Sequence, residues 1–216
     1  MFYEPGKGHG LPHDPFKAIV APRPIGWIST RSTAGEINLA PYSFFNALAS
    51  NPHLVFFSSE GTKYGGAFSV EGAKDSATFA RESGEFVANL VGRELAERMN
   101  ATSVDAPRGF SEFGYAGLTP APCRIVAAPR VAEAPAALEC RVTEILEPRA
   151  LDGSRTRAVV VVGQVVGIHI ADEMLVDGLF DVRKAGNIAR LGYLDFSSTE
   201  EIFSMRRPKW KDDSKV

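Results

Sequence analysis

Leu138-Glu139-Cys140-Arg141-Val142-Thr143 and, after a short interruption, Ala158-Val159-Val160-Val161-Val162-Gly163-Gln164-Val165-Val166-Gly167-Ile168-His169-Ile170 are the stretches on which the fold turns. The first alternates apolar and polar residues with the period of a half-buried strand. The second, taken from Arg157, is dominated by β-branched residues, yet Gly163, Gln164, Gly167 and His169 interrupt it too often for a membrane span. Between the two, Leu151-Asp152-Gly153-Ser154 carries an Asp-Gly pair, which supplies the positive φ of a tight turn. The pattern predicts a long antiparallel hairpin.

Working outward, residues 25–30 and 36–40 flank Ser32-Thr33-Ala34-Gly35 and read as a second hairpin, and 53–58 and 85–90 are further β-branched or aromatic runs. Helical signals are short. Asp75 or Ser76 suits an N-cap for a segment ending near Ser83-Gly84, Leu95 and Met99 lie one turn apart within 94–100, and 184–191 reads as another short helix. So many antiparallel strands with few helices predict a mostly β chain, a closed or nearly closed β-barrel with short peripheral helices, because closure removes exposed strand edges.

The 216 residues fit one domain, with 1–15 as an N-terminal arm and 206–216 as a C-terminal tail. Hydrophobic residues at 44% and charged residues at 23% exclude a disordered or fibrous chain. Lys and Arg number 24 against 26 Asp and Glu, so no excess of positive charge points to nucleic acid or to an anionic membrane. Cys123 and Cys140 are the only cysteines, too few for a disulfide framework. With no apolar stretch near the N-terminus, the expectation is a cytoplasmic protein without a membrane span.

The usual glycine-rich dinucleotide and phosphate loops, the nucleophile elbow, the zinc-protease helix and paired-cysteine motifs are all missing. His9 and His13 have helical metal-ligand spacing, but Gly8, Gly10 and Pro12 deny them a helix. Clustered aromatics at Phe44-Phe45 and Phe56-Phe57 serve a core or an interface as well as a site. More informative is the mixture of amides, hydroxyls, a proline and aromatics over Ser29-Thr30 and Asn38-Leu39-Ala40-Pro41-Tyr42-Ser43-Phe44-Phe45-Asn46. A flat heteroaromatic ligand asks for such a surface, with apolar contact for its faces and placed donors and acceptors for its edges.

Three segments in order, Pro22-Arg23-Pro24-Ile25-Gly26-Trp27-Ile28-Ser29-Thr30, the 38–46 stretch just quoted and Lys74-Asp75-Ser76, resemble the flavin reductase-like family of FMN-binding split barrels, in the branch holding the reductase components of two-component monooxygenases. Gly84-Glu85-Phe86-Val87, Leu138-Glu139-Cys140, 163–169, Arg190-Leu191-Gly192 and 203–208 extend the likeness over nearly the whole chain. The resemblance implies an FMN-binding split β-barrel, non-covalent FMN, reduction by NADH or NADPH, a homodimer with the flavin near the subunit interface, and in some members an oxygenase partner. Two positions depart from the family pattern: Ser76 stands for a common Thr, and Phe79 for a common Asn.

On that resemblance Lys74 and the helix start at Asp75 and Ser76 would meet the phosphate, since free backbone N–H groups and a positive dipole end favour an anion there. Ser29 and Thr30 would add hydroxyls. Asn38, Ala40, Pro41, Ser43, Phe44, Phe45 and Asn46 would meet the ring, with Trp27 as an apolar wall, although Trp27 and Phe45 suit a core equally well. His169 either projects toward the nicotinamide or serves as a satisfied structural histidine, and Arg190 shares that ambiguity. A flavin electron carrier without catalysis, and a ligand-binding barrel without redox activity, remain the alternatives at this point.

Overall fold

The computed structural model describes residues 1–63 and 72–210. Seven strands form its main sheet: β1 (Gly26–Arg31), β2 (Ile37–Tyr42), β3 (Phe45–Ser50), β4 (His53–Glu60), β5 (Glu85–Asn89), β6 (Ala136–Leu146) and β7 (Ala158–Ile170). Their order is β2-β1-β5-β6-β7-β4-β3, every pairing antiparallel. The sheet curls into a half-barrel whose edges, β2 and β3, follow each other in sequence without pairing. The predicted hairpins are β1–β2 and β6–β7, with Gly35 at φ 92° and Gly153 at φ 83° in their turns.

The helices are short: α1 (Phe16–Ile19), α2 (Asp75–Ser83), α3 (Ala96–Ala101), α4 (Glu112–Tyr115) and α5 (Val182–Ala185). Two sequence expectations change here. The segment 184–191 is not one helix: Asp181 caps α5 by accepting from the amides of Arg183 and Lys184, Gly186 ends it in the left-handed region, and Ile188–Arg190 turns into a strand pairing with Arg23–Pro24 and Phe196–Ser198. Neither Asp75 nor Ser76 caps α2. Lys74 occupies that position in an extended conformation, and Asp75 is already helical. Of the tail 206–216, residues 211–216 lie outside the described residues.

Alternation along β1 builds two cores on opposite faces of the sheet. Ile28 joins Tyr42, Phe57, Phe86 and Cys140 inside the curl, closed by Ala77 and Ala80 of α2. Trp27 points the other way, into a core with Leu39, Met99, Phe113 and Val131. Gly163 interrupts the valine run of β7 because the Phe86 ring lies where its side chain would be; a Cβ there would stand 2.4 Å from the ring. Gly26 likewise leaves room for Phe45, at 2.5 Å.

Candidate flavin site

Helix α2 starts against the β1–β2 edge of the half-barrel, and that junction builds the site. The amides of Ala77 and Thr78 bond back to the Lys74 carbonyl, whereas those of Asp75 and Ser76 stand in the first turn, with no intrahelical acceptor. Ser76 Oγ donates to Asn38 Oδ1 at 2.7 Å, and Asn38 Nδ2 donates to Glu112 Oε1 at 3.2 Å. Glu112 Oε2 also accepts from the Leu39 amide at 3.2 Å. One buried chain of polar contacts thus ties α2, β2 and α4 together. Burial pushes the Glu112 carboxyl and the Tyr42 phenol above their ordinary pKa values.

Asp75 is buried but compensated: Lys63 Nζ meets Oδ2 at 2.7 Å, and Arg108 reaches Oδ1 at 2.9 Å while its guanidinium lies 5.6 Å from the Phe79 ring centre. Lys74 is exposed beside them. Two cations therefore hold the Asp75 carboxylate, and a third, Lys74, lines the same cavity at the positive end of a nine-residue helix, a setting that favours an anion. A cavity of about 150 Å³ opens there, lined among others by Asn38, Pro41, Lys74, Ser76 and Glu112. It adjoins a second cavity of about 320 Å³, Pro41 and Ser103 lining both.

Of the residues singled out in the sequence, Asn38, Ala40, Pro41, Lys74, Asp75 and Ser76 line the first cavity and Ser43 the second. The others lie elsewhere, for physical reasons. Trp27 is fully buried on the opposite face, its indole N–H donating to Thr102 Oγ1 at 2.9 Å. Ser29, two residues on, shares that face and bonds the Pro129 carbonyl and Asn89. Thr30 is buried opposite Asn38, its hydroxyl without a partner among the described residues. Phe44 carries Lys17 and Arg23 on its ring, Phe45 packs onto the inner core, and Asn46 bonds the next amide on the edge strand.

His169 also lies away from this groove. Its Nε2 sits 2.6 Å from Glu139 Oε1, and Glu139 further accepts the amides of Arg124, Ile125 and Val126 at 2.7–2.9 Å. These bonds outweigh burial and hold the Glu139 carboxyl down at about 2. Cys123 Sγ is close by, but the four donors already fill the carboxylate's acceptor sites, and burial pushes the thiol up to about 11. The arrangement clamps the 123–126 loop to the sheet.

Lys63, Arg108 and Glu112 were not found by sequence reasoning, because no local spacing links them to Lys74-Asp75-Ser76; tertiary folding alone brings them there.

The model of the flavin reductase like domain matches residues 20–188. The chain belongs to that family. An uncharacterized protein of Halalkalibacterium halodurans is 36% identical over 189 residues, covering 88% of this chain and 87% of its own length. Among solved structures, nitrilotriacetate monooxygenase component B from Bacillus cereus is 26% identical with a TM-score of 0.83, covering 95% of this chain and 98% of that one. The Pseudomonas fluorescens 2-nitrobenzoate 2-nitroreductase is 25% identical with a TM-score of 0.75, covering 92% and 91%. The half-barrel is thus the split barrel of flavin reductases, and the chain is a flavin-related oxidoreductase with a flavin cofactor.

Proposed function

We propose that this protein is an FMN-dependent NAD(P)H oxidoreductase, a flavin reductase that passes hydride from NADH or NADPH to FMN and can deliver reduced flavin to an oxygenase. The observation that carries the reading is the convergence of Lys74, the first-turn amides of α2 and the Asn38–Ser76 contact on one cavity that runs on past Pro41. That donor set fits FMN: a point charge and two N–H groups without an acceptor among the described residues for a phosphate, and a proline-bearing strand surface for a flat ring. When bound, FMN supplies the hydride-accepting ring.

The chain's own residues would bind and orient. Lys74 and the α2 amides would hold the phosphate. Asn38, locked by Ser76 on one side and Glu112 on the other, fixes the wall of the groove, and Ala40 and Pro41 present apolar contact that excludes water. Holding two reactants in one groove is the main contribution such a site makes to the rate. His169, committed to Glu139, keeps a structural role in this scheme.

The homodimer belongs to the same reading. Ile168 and Leu179 are 54% and 72% exposed, and Ile168 helps line an apolar cavity of about 240 Å³ with Ile25, Phe45, Leu138, Ile170 and Phe180. An apolar face of that kind fits a second copy of the chain. Both cysteines are free thiols, in keeping with a reducing cytoplasm, and among the described residues no helix is long and apolar enough to cross a membrane. Anaerobic mixing of the FMN-loaded protein with NADH and with NADPH tests the function: bleaching of the blue flavin band by at least one is expected, and no bleaching by either would end the reading.

A further inference from the structure

The groove does not stop at Pro41. The cavity of about 320 Å³ beyond it is lined by Lys17, Arg23 and Arg190 together with Ser43, Asn100 and Ser103, and among the described residues no acidic side chain lines it. None of the three cations forms an ion pair among the described residues. They are held instead on aromatic faces. Lys17 Nζ and the Arg23 guanidinium lie 5.6 and 6.0 Å from the Phe44 ring centre, and Arg190 lies 4.4 Å from that of Phe196. Such contacts position a cation without neutralising it.

Arg23 is 7% exposed, donates to the carbonyls of Lys17, Val20 and Leu191, and keeps a buried Nε with no partner among the described residues. Burial and then the charge of Arg190 lower its pKa. Carbonyls alone accept from the two guanidiniums, Arg190 donating to that of Tyr193, and with no counter-charge among the described residues the cluster gains when an anion enters.

The cavity also continues. Met99, Asn100, Arg190 and Phe196 line both it and a groove of about 860 Å³ that runs to Arg93, Ser197 and Ser198 and carries Glu97 and Glu200 on its lining. The two cavities together have room for a long anionic ligand, with one end at the surface near Pro41 and Ser43, its middle across the cations and the rest in the larger groove.

We infer that Lys17, Arg23 and Arg190 bind the phosphates of the nicotinamide dinucleotide, with its adenosine half in the larger groove. This rests on the function proposed above and names where the second substrate is held. Direct binding separates the two. Affinities of the full chain for NADH, NADPH and FMN are measured by calorimetry in the native sequence, in Lys17→Gln, whose side chain is exposed, and in Arg190→Gln. Each variant is expected to weaken dinucleotide binding about tenfold at low salt while FMN affinity stays within twofold, and the native protein's dinucleotide affinity falls more steeply with salt than either variant's. Dinucleotide affinity unchanged in both variants overturns the inference, and so does a loss of FMN affinity in its place, which assigns the cations to the flavin's own phosphate. Failure of the native protein to take up FMN counts against the proposed function, while the dinucleotide arm still reads this site.

Discussion

Replacing Glu139 by Gln should cost about 3 kcal/mol of stability at neutral pH. The carboxylate accepts four hydrogen bonds, from three consecutive backbone amides and from His169. A glutamine keeps one acceptor oxygen and turns its NH2 toward donors that were satisfied, so either the Ile125 and Val126 amides or the Arg124 amide and the imidazole lose their partner. The depression of its pKa from 4.5 to about 2 gives the same size, roughly 3 kcal/mol at 1.36 kcal/mol per unit. For a chain of this length that corresponds to a fall in Tm of about 6–12 °C. Because the folded pKa lies below the unfolded one, the contribution is complete above pH 4.5 and is lost as pH falls toward about 2. Thermal unfolding followed by circular dichroism at neutral pH and at about pH 3 reads both effects, and the gap between the native protein and Glu139→Gln should narrow in acid. A neutral-pH difference under about 1 kcal/mol, or a gap that widens in acid, would refute the reasoning.

Other substitutions probe the rest of the structure. Gly26→Ala pushes a Cβ to 2.5 Å from the Phe45 ring and should cost about 1–3 kcal/mol in urea unfolding; an unchanged midpoint would mean the ring does not lie there. Trp27→Phe removes the donor to Thr102 and should cost about 1 kcal/mol while leaving FMN affinity within twofold, because the indole is buried on the far face of β1; a large loss of FMN affinity in a folded variant would contradict that placement. Phe79→Asn, which restores the residue common in the family, should destabilise by about 3 kcal/mol, since Phe79 is buried under Arg108, and fluorescence titration should find FMN affinity no better than twofold improved.

Strands were legible where alternation and turn chemistry agreed. The β6–β7 hairpin and the β1–β2 hairpin both carry glycine at the turn and β-branched residues on either side. Strand β3 escaped notice because its alanines are weak strand formers and a register shift between Ala47 and Ala49 breaks the period of two. Residues 188–190 look helical in isolation, yet pairing with Arg23–Pro24, far away in sequence, makes them a strand. At the site, Lys74-Asp75-Ser76 could be read from helix-start chemistry. Trp27 and Ser29 stand next to Asn38 and Ala40 through strand pairing, but alternation turns them to the face opposite the groove that those two line. Lys63, Arg108 and Glu112 had no sequence signal, since their roles exist only once loops far apart in the chain meet at α2.

Titrating the protein with FMN and with riboflavin, under fluorescence detection, weighs the helix start as the seat of the flavin phosphate. FMN should bind at least about tenfold more tightly than riboflavin, and Lys74→Ala should erase most of that difference while leaving riboflavin affinity unchanged. Equal affinities for the two flavins in the native protein, or a difference that survives Lys74→Ala intact, would contradict it.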